Sequence, residues 1–245
     1  MRRLFLSDVH LSPRHPERTA RLLAVWDREA PRTQELYILG DLFDYWIGPK
    51  HLVEPDYREV LAKLRGMTER GPRVFFLLGN RDFYMEGFEQ ATGVQVVRDR
   101  TEHWLRAGSK RVYLCHGDYL GDRRGLEFRM QEFFRSRGVE KIYTGLPAWL
   151  GKLGARFYRW VSERQFLPAR YRPTTRPGLS DRALAERFRR GADVIVCGHV
   201  HRAEMRTMKV RGREGILFAL GDWSQGPSYL VEEDGQFHLY EGPAL

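Results

Sequence analysis

Five times in this chain an apolar, strand-favouring run stops at a short cluster that carries a carboxylate, an amide or an imidazole. The clusters read Ser7-Asp8-Val9-His10, Gly40-Asp41, Gly79-Asn80-Arg81-Asp82, His116-Gly117-Asp118 and Gly198-His199-Val200-His201. Before Asp41, for example, stands Tyr37-Ile38-Leu39, and then one glycine. A buried strand that ends on an unpartnered polar donor loses solvation energy unless something there binds the donor. In α/β sheets the carboxyl ends of the strands share one edge, where ligands bind. The pattern therefore predicts a layered α/β fold with seven donors gathered at that edge.

The segments between the clusters support this. Residues 2–7 read as a strand, 16–30 as a helix with Leu22, Leu23 and Trp26 at helical spacing, and 34–40 as a second strand. Residues 56–71 then read as a helix closed by glycine, and 73–79 as a third strand. This is the βαβ rhythm of a partly parallel sheet. Around residues 94–118 it gives way to short strands, two of them joined by a hairpin-like Gly108-Ser109. Residues 125–190 read as helical, punctuated by Pro147, Pro168, Pro173 and Pro177, and end in a helix that starts at Ser180 and stops at Gly191. The run to Cys197 and four short β segments complete the chain. The expected organisation is a single domain, residues 1–245. Its α/β sandwich core is built from residues 1–120 and 191–245, and a basic helical insertion spans residues 121–190.

Charge singles out that insertion. The net charge is +9, yet residues 121–190 hold 17 Lys and Arg against 7 Asp and Glu, so the other 175 residues sum to −1. A segment of this kind favours an anionic partner: a nucleic acid, a phosphorylated ligand or a membrane surface. Its stretch 142–166 mixes Trp149, Leu150, Leu153, Phe157, Trp160 and Val161 with Lys152, Arg156, Arg159 and Arg164. That interleaving describes an interfacial amphipathic helix. No apolar stretch approaches the ~20 residues that span a bilayer. The apolar run after Arg2-Arg3 is also too short for a signal peptide, which makes a cytoplasmic location the expectation. Cys115 and Cys197 end apolar runs and read as small core residues.

Imidazole together with carboxylate and amide oxygen suits divalent Mn, Fe, Co or Zn better than Ca²⁺. Seven donors, Asp8, His10, Asp41, Asn80, His116, His199 and His201, exceed one ion's needs and suit two. Side-chain alternation along an extended segment would set the donors of Asp-x-His and His-x-His on one side. Asp41, standing between the two sets, is the carboxylate placed to bridge. Two ions about 3.5–4 Å apart clamp a phosphoryl group.

The order D-x-H, G-D, G-N-x-D, H-G-D, G-H-x-H resembles the calcineurin-like metallophosphoesterase superfamily, whose fold is an α/β/β/α sandwich. The resemblance implies one metal held by Asp8, His10, Asp41 and His201, and a second held by Asp41, Asn80, His116 and His199. Many members read G-N-H-D, with the histidine protonating a leaving alkoxide; here the residue is Arg81. Arginine stays protonated and cannot cycle as a general acid, but its fork suits phosphate oxygens. A phosphate leaving group, with a second pKa of about 6, needs little protonation. Arg81 therefore argues for a phosphoanhydride.

Residues 4–11, 36–48, 79–83, 116–118 and 220–223 more closely resemble the UDP-2,3-diacylglucosamine diphosphatase family of lipid A biosynthesis. What this implies is a Mn²⁺-dependent hydrolase that releases UMP and 2,3-diacylglucosamine 1-phosphate at the cytoplasmic face of the inner membrane. A helical lid would receive the acyl chains. Asn80, Arg81 and His116 are then assigned to catalysis, and Asn80, Arg81, Asp122, Ser162, Arg164 and His199 to substrate binding. After Ser162 the family's Asn/Lys-rich stretch is replaced by residues 163–177, where arginines such as Arg164 stand in. The alternatives are a metallophosphoesterase of another nucleotide diphosphate, a phosphodiesterase or nuclease drawn to the basic segment, and a non-catalytic scaffold. Nucleic acid is not the expected partner.

Overall fold

The computed structural model describes residues 1–99, 103–121 and 178–242. Two sheets lie face to face. The first runs β13 (Gln236–Glu241), β12 (Ser228–Glu233), β1 (Arg2–Leu6), β2 (Glu35–Ile38), β4 (Arg73–Leu77) and β6 (Gln95–Val97). Within it β1, β2, β4 and β6 are parallel and the two C-terminal strands antiparallel. The second runs β10 (Glu204–Val210), β11 (Arg213–Ala219), β9 (Val194–Cys197), β8 (Lys110–Leu114) and β7 (His103–Ala107).

Period-two alternation builds the layers. On the first sheet Leu4, Leu6, Leu36, Ile38, Val74 and Phe76 face outward, against helices α1 (Pro16–Glu29) and α2 (Arg58–Arg70). Their neighbours Phe5, Tyr37 and Leu77 face inward and meet Val112, Leu114, Val194, Val196 and Phe218 of the second sheet. The second sheet's outer face carries Tyr113, Cys115, Ile195, Cys197 and Leu217, covered by Leu184 and Phe188 of α4 (Asp181–Arg189). A short helix, α3 (Phe88–Thr92), completes the first outer layer. The inner strands β1, β2 and β9 are mostly apolar on both faces because they are covered on both, whereas the edge strands β10 and β13 alternate with exposed polar residues. This is the expected α/β/β/α order.

The helices follow their residues. α1 starts with Pro16 in its first turn, where the missing N–H costs nothing, and buries Leu22, Val25 and Trp26. α2 buries Val60, Leu61, Leu64 and Met67 and stops where Gly71 N–H donates to the Met67 carbonyl. α4 is capped by Ser180, whose side chain accepts the Ala183 N–H, as the serine's position predicts. The last residues of the expected insertion, 181–189, lay their apolar face on the second sheet. Both cysteines are buried thiols in that same layer. Burial pushes the Cys115 thiol up to about 12, so it has no thiolate chemistry near neutral pH.

Residues 122–177 lie outside the described residues, and with them Asp122, Ser162, Arg164, Trp149 and Trp160. Unanticipated is a parallel pair of two-residue strands, β3 (Trp46–Ile47) and β5 (Asp82–Phe83), beside the main sheets. Two residues are too few to show a period.

At the opposite end of the strands from the clusters, Arg3 is buried between Glu35 (2.7 Å) and Glu232 (2.6 Å). Arg3→Ala leaves Glu232 charged and buried without its cation. Urea denaturation is expected to show a loss of about 3–5 kcal/mol, with the strand-end site intact by metal content.

Candidate metal centre

The two sheets bring their carboxyl ends together, and the polar clusters meet there. β1, β2, β4, β8 and β9 stop at Leu6, Ile38, Leu77, Leu114 and Cys197. The chain beyond each is pinned to its neighbours: Asp8 N–H donates to the Gly40 carbonyl (3.2 Å), His10 N–H to Asp41 (3.1 Å) and Gly198 N–H to His116 (2.7 Å). Asp8, Asp41, Asn80, His10 and His116 are buried, and His199 and His201 partly so.

The donors of Asp-x-His and His-x-His do converge, but not by strand alternation. Asp8 (φ 52°), His10 (52°), Asp41 (53°), His199 (70°) and His201 (56°) all sit in the left-handed region. Non-glycine residues there are uncommon, and Asp and His are among those that tolerate it. These left-handed turns lie just where the donor atoms converge beyond the strand ends.

The result is two overlapping groups. In the first, Asp8 Oδ1 is 3.3 Å from His201 Nε2 and 3.7 Å from His10 Nε2, and the two imidazole nitrogens are 3.3 Å apart. Ligands about 2.0–2.2 Å from a common ion lie about 3–3.6 Å from one another, so this triangle has the dimensions of one face of a coordination shell. In the second, Asp8, Asp41 and His116 converge. His116 Nε2 stands 3.8 Å from Asp41 Oδ1 and 3.0 Å from Asn80 Oδ1. The His116 Nδ1–H donates to the Leu39 carbonyl at 2.8 Å, which fixes the tautomer and turns Nε2 inward. Asp8 Oδ1 is buried with no hydrogen bond. A buried carboxylate oxygen left so, facing imidazole nitrogens, has the chemistry of a cation ligand. The residues fit divalent ions.

Electrostatics fit as well. Burial alone would raise the Asp8 carboxyl, but His201, His116 and His10 outweigh it and hold Asp8 below the ordinary range. Burial raises Asp41. His199 is lowered to about 4 by burial and by the charge of His116; His10 is lowered by burial and by Arg81. Both are neutral imidazoles, the form that binds metal. For His116 burial acts downward, but Asp41, Asp8 and Asp118 overcome it and raise the ring to about 9. A cation bound at Nε2 would take the place of that proton.

The seven sequence-predicted donors are thus brought together, with Arg81 beside them. Asp122, Ser162 and Arg164 lie outside the described residues. Three further carboxylates adjoin the cluster that motif spacing did not single out. Asp82 Oδ2 accepts the N–H groups of Asp41 and Gly79, both at 2.8 Å, and so holds the two loops against each other. Burial and the Asp41 charge push Asp82 up to about 7. Asp222 faces His201 Nδ1 at 3.7 Å. Asp44 meets Arg81. The signal was present in the second acid of "GDLFD", the last of "GNRD" and the acid of "LGDW".

Two glycines make the convergence possible. A Cβ on Gly198 would overlap Asp8 Oδ2 and Ser7 Oγ, and one on Gly79 would overlap Asp41 Oδ1 and lie 2.7 Å from its nitrogen. Gly198→Ala therefore forces Asp8 away from His199. Thermal melting is expected to show an overpacking loss of about 1–3 kcal/mol, with a parallel fall in bound metal by elemental analysis. A fully loaded, wild-type-stable variant would refute the close approach.

Comparison with known proteins agrees. The calcineurin-like phosphoesterase family matches residues 1–203 of the chain. A Vibrio cholerae protein named UDP-2,3-diacylglucosamine hydrolase is 34% identical over 239 residues, covering 94% of each chain. Proteins of the same name from Azotobacter vinelandii and Coxiella burnetii are each 31% identical, over 249 and 242 residues, covering 99% and 96% of both chains. With a family match over most of its length and near full-length relatives above 30% identity, the chain belongs to the calcineurin-like phosphoesterase family.

Proposed function

We propose that this protein hydrolyses the pyrophosphate bond of UDP-2,3-diacylglucosamine, giving UMP and 2,3-diacylglucosamine 1-phosphate, with two divalent cations, most favourably Mn²⁺. The observation that carries the reading is the pairing of a buried donor cluster with an arginine at the position where a general acid would serve an alkoxide. The names of the near full-length relatives supply the substrate class.

In this reading Asp8, His10, Asp41 and His201 hold one ion, and Asp41, Asn80, His116 and His199 the other. Ions held there polarise phosphoryl oxygens and lower the pKa of water. The chain's own groups do the rest. Asp41 stands in the group with Asp8 and His116, and its Oδ1 accepts the Arg81 N–H at 2.9 Å, so one carboxylate serves both the donor cluster and the arginine. The Arg81 guanidinium, 3.7 Å from Asp41 Oδ2 at Nε, lies at the edge of the cluster, its side chain about a quarter exposed. A phosphoryl oxygen held beside that cluster meets a permanent cation rather than a titrating ring. His199, uncharged near neutral pH, and Asn80 can contact the same phosphoryl group without adding charge. The departing group is a phosphate, which leaves without a proton donor.

Acyl chains need an apolar receptor, and the amphipathic stretch 142–166 is the segment suited to provide it. Asp122, Ser162 and Arg164 would contact the glucosamine phosphate. No helix among the described residues is long and apolar enough to cross a membrane. Attachment to the cytoplasmic face of the inner membrane would therefore run through that basic, aromatic stretch.

Purified protein with Mn²⁺ and UDP-2,3-diacylglucosamine should release UMP, and chelation should stop it. Asp41→Ala should be the most damaging ligand change and should lower metal content. Arg81→Ala should retain the metals and lose at least ~10²–10³-fold in turnover, the scale of removing one preorganised electrostatic contact. Near-normal turnover and metal content in Asp41→Ala would refute the two-ion reading. Tight, salt-sensitive binding of single-stranded DNA with no UMP released would replace the lipid substrate with a nucleic acid.

A further inference from the structure

We infer that Asp44 is a positioning residue, which aims the Arg81 guanidinium at the metal cluster, and that the β3–β5 pair exists to hold the two side by side. The inference rests on the role given to Arg81 above.

Arg81 is a long side chain at the lip of a charged cavity. Left to itself it would lose several rotatable bonds' worth of entropy on every productive encounter with a phosphoryl group. The structure limits that freedom at both ends. At the backbone, Arg81 N–H donates to Asp41 Oδ1 (2.9 Å), and its carbonyl accepts the Trp46 N–H (3.1 Å). Trp46 pairs with Asp82 and Ile47 with Phe83 in the parallel ribbon. The segment carrying Asp44 and the segment carrying Arg81 are thereby laced together. At the tip, Nη1 donates to Asp44 Oδ1 at 2.7 Å and reaches the Asp44 carbonyl at 3.4 Å. The guanidinium also lies over the Tyr45 ring, 5.2 Å from its centroid, a cation–π contact that resists tilting.

The orientation follows from which nitrogen is engaged. With Nη1 tied to Asp44, the Nε side of the planar fork is the side that lies 3.7 Å from Asp41 Oδ2. The fork therefore presents that edge toward the cluster, where the transferred phosphoryl group would sit. The Asp44 side chain is 13% exposed, so this is a sheltered, charge-assisted contact and not a solvated surface pair. Neither main sheet uses the β3–β5 ribbon. Its two-residue length makes little sense as a stabilising sheet, but it is enough to fix the register of Asp44 and Tyr45 against Arg81.

A double-mutant cycle on the Mn²⁺-loaded protein separates positioning from mere structure. Initial rates of UMP release from UDP-2,3-diacylglucosamine are measured for wild type, Asp44→Asn, Arg81→Ala and the double variant. Melting temperature and metal content are recorded for each. Asp44→Asn keeps the size and the Tyr45 platform but loses the charge, so kcat/KM should fall on the order of 10–100-fold, the scale of misplacing a reacting contact by about 1 Å. Metal content and melting temperature should stay at wild-type values. In the Arg81→Ala background the same change should cost less than about 2-fold, because residues acting as one unit are not additive. If the Asp44→Asn variant folds poorly, Asp44→Ser is run in the same cycle, with the same expected losses. Multiplicative losses in the double variant, or a wild-type rate in Asp44→Asn beside a crippled Arg81→Ala, overturn the positioning role and leave Arg81's role standing. A wild-type rate in Arg81→Ala removes Arg81's role itself, and the inference with it.

Discussion

One contact joins the two halves of this protein at the point where its chemistry would occur: Asp8 Oδ2 accepts the His199 N–H at 2.8 Å. Asp8 follows β1 of the first sheet and His199 follows β9 of the second. The hydrogen bond therefore spans the sandwich, and it leaves the other oxygen, Asp8 Oδ1, facing His10 and His201. Backbone close approach at Gly198 is its precondition. A charge-assisted bond of this kind, in a buried setting, is among the stronger ones available. The inward-facing apolar layer holds the sheets together in general; at the edge this bond and the His116 Nδ1–H to Leu39 carbonyl bond at 2.8 Å tie one sheet to the other.

The strained backbone around it has the same origin. Five of the seven donor residues have φ between 52° and 70°. Each carries a cost of order 1–3 kcal/mol that the surroundings must offset. An extended Asp-x-His would reach the sheet edge and continue past it. The left-handed turn is what folds both side chains back over the edge, so strain and site geometry are one requirement. Asp82 shares the load: by binding the N–H groups of both Asp41 and Gly79, it holds in place the turns that two strands make as they end.

Much of this was legible in the residues, and the boundary of what was legible has physical causes. Strand and helix positions follow from apolar periodicity, as in β1, β2, β4, α1 and α2, because each is buried against a layer of matching period. The donor set could be read because each member punctuates an apolar run. The reason given for convergence, side-chain alternation, was incorrect at both His-containing motifs; alternation describes strands, and these residues lie after the strands end. Dihedral choice at Asp8 or His199 is set by tertiary hydrogen bonds such as Asp8 N–H to Gly40 O, which no local pattern encodes. The ribbon of β3 and β5 was invisible for a related reason: two residues carry no period, and the pairing joins segments more than thirty residues apart. Asp44, Asp82 and Asp222 were within quoted motifs, but their use depends on partners distant in sequence.

Burying so many like charges has a consequence for the folded state as a whole. Asp8, Asp41 and Asp82 are all buried in one cluster, and desolvation raises the last two carboxyls. Uncompensated, such a cluster opposes folding. His116, raised to about 9 by Asp41, Asp8 and Asp118, supplies one positive charge, and Arg81 supplies another at the rim. Against burial, Asp8 also raises the His201 ring, and Asp82, pushed up to about 7, sheds part of its own charge. Divalent cations bound only by the folded state would add stability by mass action, about 2.7 kcal/mol at a free concentration one hundred times the dissociation constant. The sheets, their glycine-mediated approach and the left-handed turns thus build a buried cluster of acids and imidazoles that bound cations would stabilise. The charge of those cations would in turn favour an anionic phosphoryl group.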